Sequence, residues 1–173
     1  MRPTRQAGRA RERRGHEAGR GGVGCSTVPA RRTSRQAAVI ALDTNVLVRH
    51  LYQRDDPGQS RAANRVVAGA IAAGETVFIS AVVLAETALV LRRVYRLPKG
   101  HLAQVVETLW NDPAFTLEHR ALVRAAVDLF RRGRADFNDY LIGQIAKQAG
   151  GATTYTFDRG LRRARGFTWL RAG

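Results

Sequence analysis

Val39-Ile40-Ala41-Leu42-Asp43-Thr44-Asn45 is a short apolar run that ends in an acid. Four consecutive apolar residues, two of them β-branched, describe a strand buried on both faces. The apolar residues that follow, Val46, Leu47 and Leu51, have helical spacing and predict a helix from Asn45 to Tyr52. A buried strand that runs straight into a helix is the opening of an alternating β/α chain.

The rest of the chain repeats that alternation. Asp55-Asp56-Pro57 predicts a helix start, an acid ahead of a proline at the first helical position, with the helix stopping at Gly74. Thr76–Ile79 reads as a strand, and Ser80 as the cap of a helix from Ala81 to about Tyr95. Pro98 opens a helix to about Trp110, and Ala114–Leu117 reads as a short strand. Glu118 to Arg132 is expected to be helical, with Leu122, Ala125, Ala126 and Leu129 on one side. Asp136 starts a helix that ends at Gly150-Gly151, and strands are expected at Thr153–Phe157 and Phe167–Leu170. Strands alternating with helices imply an α/β domain with a parallel sheet covered on both faces.

The 173 residues suit one domain, with 45% hydrophobic and 25% charged residues. Cys25 is the only cysteine, which excludes an intrachain disulfide framework and a Cys-cluster zinc site. No apolar run approaches the roughly 20 residues of a membrane helix. The expectation is a soluble, cytoplasmic protein of a reducing compartment. Its 29 Lys+Arg against 14 Asp+Glu, a net charge of +15, favour polyanionic partners. The charge is uneven: residues 1–36 hold ten Arg and two acids with almost no large apolar residues. We therefore divide the chain into an Arg-rich extension over 1–38, expected to be disordered, and a folded domain over 39–173. A nucleic-acid-gripping arm, a transit peptide and a start assigned too far upstream are the three readings of the extension.

Four acids occupy positions that call for an explanation. Asp43 and Asp158 each follow an apolar or β-branched run directly, at the carboxyl end of an expected parallel strand, where α/β sheets bind ligands. Each also precedes a helix, so capping is the competing role. Glu86 shares helical spacing with Val82, Val83, Leu89 and Val90, a stripe expected to face the core. A buried carboxylate there needs a partner, and Arg93 reaching over it is the alternative to a ligand role. Asp139 aligns with Ile142, Gly143 and Ala146 on an expected apolar side, and Asp136 stands on the first turn as a cap or ligand. Converging carboxylates repel one another unless cations are present, and oxygen-only donors suit Mg²⁺ or Mn²⁺. A carboxylate-held divalent ion on a basic protein suggests phosphodiester cleavage.

Asp43-Thr44-Asn45-Val46-Leu47, Glu86 in a helix after Ser80, Asp136-Phe137-Asn138-Asp139-Tyr140-Leu141-Ile142 and Thr154-Tyr155-Thr156-Phe157-Asp158 stand in this order. The pattern resembles the PIN-domain ribonucleases, and within them the VapC-type toxins of toxin–antitoxin pairs, over about Val39–Leu170. The resemblance implies a three-layer α/β/α fold with a central parallel sheet. It implies that Asp43, Glu86, Asp139 and Asp158 form a metal-binding acidic site, with Asp136 as auxiliary ligand. Thr44, Asn45 and Thr156 match polar positions that orient carboxylates or water. The implied activity is Mg²⁺- or Mn²⁺-dependent endonuclease cleavage of RNA, often tRNA or rRNA. The implied partners are a second copy of the chain in a homodimer and a small antitoxin that blocks the site. The long Arg-rich start departs from the family pattern.

Arg131, Arg132 and Arg134 lie just before Asp136 and are expected to contact RNA phosphates. Arg92, Arg93, Arg96 and Lys99 read rather as a solvated helix end, and Trp110 and Trp169 as core. A haloacid-dehalogenase-type phosphatase also places an Asp after its first strand, but Asn45 stands where it needs a second acid. The rival from another class is a non-catalytic RNA-binding module with a structural metal site.

Overall fold

The computed structural model describes residues 38–53 and 56–171. The Arg-rich extension, Ala38 excepted, lies outside the described residues. Five strands and six α-helices alternate: β1 Val39–Ala41, α1 Thr44–Leu51, α2 Pro57–Ala72, β2 Thr76–Ile79, α3 Ala81–Arg93, α4 Lys99–Asn111, β3 Phe115–Leu117, α5 Arg120–Arg132, α6 Phe137–Gln148, β4 Thr154–Thr156 and β5 Phe167–Trp169. A 3₁₀ turn, Arg159–Leu161, follows β4.

Every strand pairing is parallel, as the alternation of strands with helices requires. The pairings form two ladders, a three-stranded sheet in the order β1-β2-β3 and a two-stranded sheet β4-β5. Because β1, β2 and β3 run the same way, their carboxyl ends share one edge. That edge carries Leu42-Asp43, Ser80 and Glu118, the residues that follow the three strands. Among the described residues no helix is long and apolar enough to cross a membrane.

The helix starts follow local chemistry. Asp56 accepts from the Gln59 amide at 2.9 Å, ahead of Pro57 at the first position of α2. Ser80 accepts from the Val83 amide at 3.2 Å and so caps α3. Glu118 does not begin a helix as expected. Its Oε2 accepts from the Ala81 amide at 2.8 Å, a second tie on the start of α3. His119 takes a left-handed conformation, φ 51°, and α5 starts after it.

The face that α5 buries also differs from the expected one. Its buried face is Val123, Ala126, Val127 and Phe130, while Leu122, Ala125 and Leu129 are only half-buried. The core gathers these with Leu47 of α1, Val77 and Ile79 of β2, Leu84 and Leu91 of α3, and Phe137 and Leu141 of α6. α3 packs against α1, α4 and α6, so it is the element shared by both halves of the acidic pattern.

Gly143 on α6 permits the approach of β5. A Cβ there would come within 2.3 Å of the Phe167 ring. Gly143→Ala must displace that ring and is expected to cost about 1–3 kcal/mol of stability by overpacking. A urea-unfolding midpoint lowered with an unchanged m-value is the expected result; an unchanged midpoint would mean that the β5–α6 packing is loose.

Candidate active site

Asp43 ends the β1 segment and caps α1, with Oδ1 accepting from the Val46 amide at 2.8 Å. Its neighbour Thr44 is buried, and the Thr44 hydroxyl donates to Glu86 Oε2 at 2.5 Å. This hydrogen bond ties the start of α1 to the middle of α3. Glu86 is exposed, not buried as the spacing of Val82, Val83, Leu89 and Val90 suggested. The core face of α3 is Ala81, Leu84, Thr87, Ala88 and Leu91, and Val82 is 75% exposed. The helix is apolar on most of its surface, so the stripe that holds Glu86 was misread as the inner one.

On α6, Asp136 is the N-cap and Asp139 stands three residues on. Asp139 Oδ2 accepts from the Asp136 amide at 3.1 Å, the reciprocal arm of a capping box. Asp139 is half-buried, at the rim of a helix whose buried face is Phe137, Tyr140, Leu141 and Gly143. Ile142, expected beside Asp139 on the apolar side, is 55% exposed.

Asp158 follows β4 and starts the 3₁₀ turn, with Oδ1 accepting from the Gly160 amide at 2.7 Å. Thr156 Oγ1 accepts from the Asp158 amide at 3.0 Å and fixes the backbone at that point. Gly160 lies flat on the Arg134-Ala135 backbone, where a Cβ would stand 3.1–3.2 Å from it. Close contact of these two loops brings Asp158 to the start of α6. Asn45 is exposed on the first turn of α1, and its side chain makes no hydrogen bond among the described residues.

The charges register one another. Partial burial pushes the Asp139 carboxyl above the usual aspartate range, and the carboxylates of Asp158 and Asp136 push it the same way. The Asp136 amide and Arg93 act against that rise. Arg92 Nε stands 3.9 Å from Asp136 Oδ1. Lys99 donates to the Gly133 carbonyl at 2.5 Å, and its ammonium pKa is lowered by burial and then by Arg92, with Asp136 opposing. The run Arg92, Arg93 and Lys99 is thus partly built into the margin of the acidic cluster rather than left as a solvated helix end.

Asp43, Glu86, Asp139 and Asp158 have one property in common. One oxygen of each carboxylate accepts a hydrogen bond from protein, and the other accepts none among the described residues. Among the described residues no three acid, imidazole or thiol groups are near enough to enclose an ion by themselves. The candidate donors are all oxygens, the donor type that hard divalent cations accept, and the structure does not bring three of them together.

The arginines expected to contact RNA divide. Arg131 makes two hydrogen bonds to Glu107 of α4, at 3.0 and 2.5 Å. Arg132 donates to the Asp128 carbonyl of its own helix at 3.1 Å. Arg134 instead lines a cleft of about 650 Å³ with Arg159, Arg162, Arg163, Tyr140 and Trp169. Arg159, Arg162 and Arg163 carry no expectation from the sequence reading, although the dense basic run Arg159-Gly-Leu-Arg-Arg-Ala-Arg165 directly after Asp158 is their signal.

The model of the PIN domain family matches residues 40–166, most of the chain. The chain belongs to the PIN-domain family. Within this PIN domain lie all four acids, from Asp43 to Asp158. The chain is also similar to a VapC ribonuclease of Aquifex aeolicus (strain VF5), 30% identical over 86 residues. That match covers 50% of this chain and 64% of the relative.

The raised Asp139 pKa makes a prediction about stability. The folded protein holds this proton more tightly than the unfolded chain, so stability falls as pH rises from the ordinary aspartate range through the raised value. Asp139→Asn keeps an acceptor for the Asp136 amide and removes the charge. In EDTA at neutral pH the variant is expected to be more stable by about 0.5 kcal/mol, a small gain because water screens a half-exposed group. The gain should shrink as the pH falls through the raised value and the wild type takes up the proton. Thermal melts across that pH range check this; a variant less stable at neutral pH would contradict the assignment.

Proposed function

We propose that this PIN domain is a metal-dependent endoribonuclease, the toxin of a toxin–antitoxin pair, acting in the cytoplasm on tRNA or rRNA. The observation that carries the reading is the set of four carboxylates, each with one oxygen pinned and one open, on the starts of three structural elements and on α3. The family membership and the similarity to a VapC ribonuclease support it. A small antitoxin that occludes the acidic site and a second copy in a homodimer are the proposed protein partners.

In this reading Asp43, Asp139 and Asp158 would hold Mg²⁺ or Mn²⁺, in part through water, with Glu86 contributing through water or as a base. Such a cation neutralises charge on the phosphate and lowers the pKa of a water. The residues of the chain do the rest. Thr44 fixes the Glu86 carboxylate by its hydrogen bond, so that the free oxygen keeps one orientation. The Gly160 amide does the same for the Asp158 carboxylate, and Thr156 fixes the Asp158 backbone by accepting from its amide. Asp136 adds negative charge beside Asp139, and Asn45 offers a polar group at the start of α1. Arg134 and its neighbours attract the RNA backbone, whose charge the acids alone would repel. Arg131 and Arg132 would join them only from the outer surface of α5. The proposed hydrolysis leaves a 3′-hydroxyl and a 5′-phosphate.

Asp43→Asn tests this reading. Asparagine caps a helix as well as aspartate does, so α1 is expected to survive while one charge is lost. Purified protein with total cellular RNA should give discrete fragments with Mg²⁺ or Mn²⁺ and none with EDTA. The variant should cleave at least about 100-fold more slowly, the scale of removing one strong electrostatic contribution to the transition state. Cleavage by the variant at the wild-type rate would refute the site. A wild type that binds RNA and cation without cleaving would favour the RNA-binding module.

A further inference from the structure

We propose that the arginine cleft beside Asp158 seats the phosphates of a single-stranded RNA next to the bond presented to the acids. The proposal rests on the nuclease reading above and assigns residues to it. Four cationic side chains, those of Arg134, Arg159, Arg162 and Arg163, line one cleft of about 650 Å³. Arg159 follows Asp158 directly, and Gly160 lies against the Arg134-Ala135 backbone that leads into Asp136. The cleft and the carboxylates are therefore held by the same two loops.

Three arginines elsewhere in the fold stand against acids, unlike the four in the cleft. Arg131 is spent on Glu107, Arg124 stands 3.7 Å from Asp128, and Arg92 faces Asp136. Arg134, Arg159, Arg162 and Arg163 form no ion pair among the described residues, though all four are exposed. Like charges gathered without counter-charges repel, and the gathering becomes favourable when an anion is shared among them.

Trp169 positions one of the four. Its indole N–H donates to the Phe157 carbonyl at 3.1 Å, which fixes the ring. The Arg162 guanidinium lies 5.3 Å from the ring centroid, and that of Arg171 5.8 Å. A guanidinium stacked on an aromatic plane keeps its N–H donors directed outward and loses less freedom on binding a phosphate. The expectation that Trp169 is a core residue therefore gives way: it is half-buried and carries two arginines.

The experiment uses the full chain and a fluorescein-labelled single-stranded oligouridylate in EDTA, where cleavage stops and binding remains. Arg159→Gln with Arg162→Gln should weaken binding at least about tenfold and lower the salt slope by about 1.4, two phosphate contacts at about 0.7 each. Arg124→Gln, which removes an arginine that stands 3.7 Å from Asp128, should change neither. Because the ten arginines of the extension can also attract polyanions, arginine modification by phenylglyoxal supplies a position-by-position readout by mass spectrometry. RNA should protect Arg159 and Arg162. Equal modification with and without RNA, together with unchanged binding by the double variant, overturns the proposal. Equal protection by oligoglutamate at matched charge also overturns it, by making the cleft a site for acidic peptides. If the wild type cleaves RNA while the double variant binds normally, the cleft assignment alone fails. If the wild type never cleaves, the nuclease reading fails, whatever the arginines do.

Discussion

A hydrogen bond from a helix-start or turn amide orients three of the four candidate carboxylates. Asp43 accepts from Val46, Asp139 from the Asp136 amide, and Asp158 from Gly160. Like charges brought to one edge of a protein repel, and each such bond offsets part of that repulsion with an oriented amide and the positive end of a helix or turn. The bond also removes rotamer freedom from the acid. Capping and cation binding competed as explanations of these residues in the sequence, yet the two roles use different oxygens of one carboxylate. A side chain can therefore stabilise its helix and still present an unoccupied donor.

Glu86 has no helix start to hold it, because it lies in the middle of α3. Its anchor is the Thr44 hydroxyl, supplied by the residue next to Asp43. That single contact makes the α1–α3 packing part of the site. α3 is in turn held at its own start by Ser80 and, across the sheet edge, by Glu118. Asp43, Ser80 and Glu118 each follow one of three parallel strands, so the parallel order of β1, β2 and β3 sets the spacing of the scaffold. The second half of the site depends on glycine. Gly160 lets the Asp158 loop lie on the loop before α6, and Gly143 lets β5 press against α6 from the far side.

Electrostatics give the site two zones. Burial, joined by the carboxylates of Asp158 and Asp136, raises the Asp139 pKa, and Arg92, Arg93 and Lys99 approach the acids from the ends of α3 and α4. Beyond Asp158 the sign reverses, and arginines without acidic partners line the cleft. A polyanion meets attraction before it meets the acids, and the acids without a cation would turn it away. The two zones share the loops at Arg134-Ala135 and Asp158–Gly160, so a shift of either loop changes both.

What the amino-acid sequence determined by itself is whatever depends on neighbours a few residues apart. Strand and helix order, the Asp56-Pro57 and Ser80 helix starts, and the five acids were legible because caps and periodicity act over three or four positions. Helix faces were not legible where a helix is apolar nearly all round. α3 buries Leu84, Thr87, Ala88 and Leu91 and leaves Val82 and Glu86 in solvent, a choice made by what packs on it. The buried face of α5 is set by what packs on it and lies about one residue from the expected one, while Glu118 holds the start of α3 instead of opening α5. Only the tertiary structure separated Arg131, bonded to a glutamate 24 positions away, from Arg134, which lines the cleft. The same distinction explains Trp169, whose hydrogen bond to Phe157 crosses between β4 and β5. Local chemistry names the groups that can cap, bind or carry charge. Which of them remain unpaired is decided by contacts between distant segments, because burial and ion pairing are properties of the packed chain.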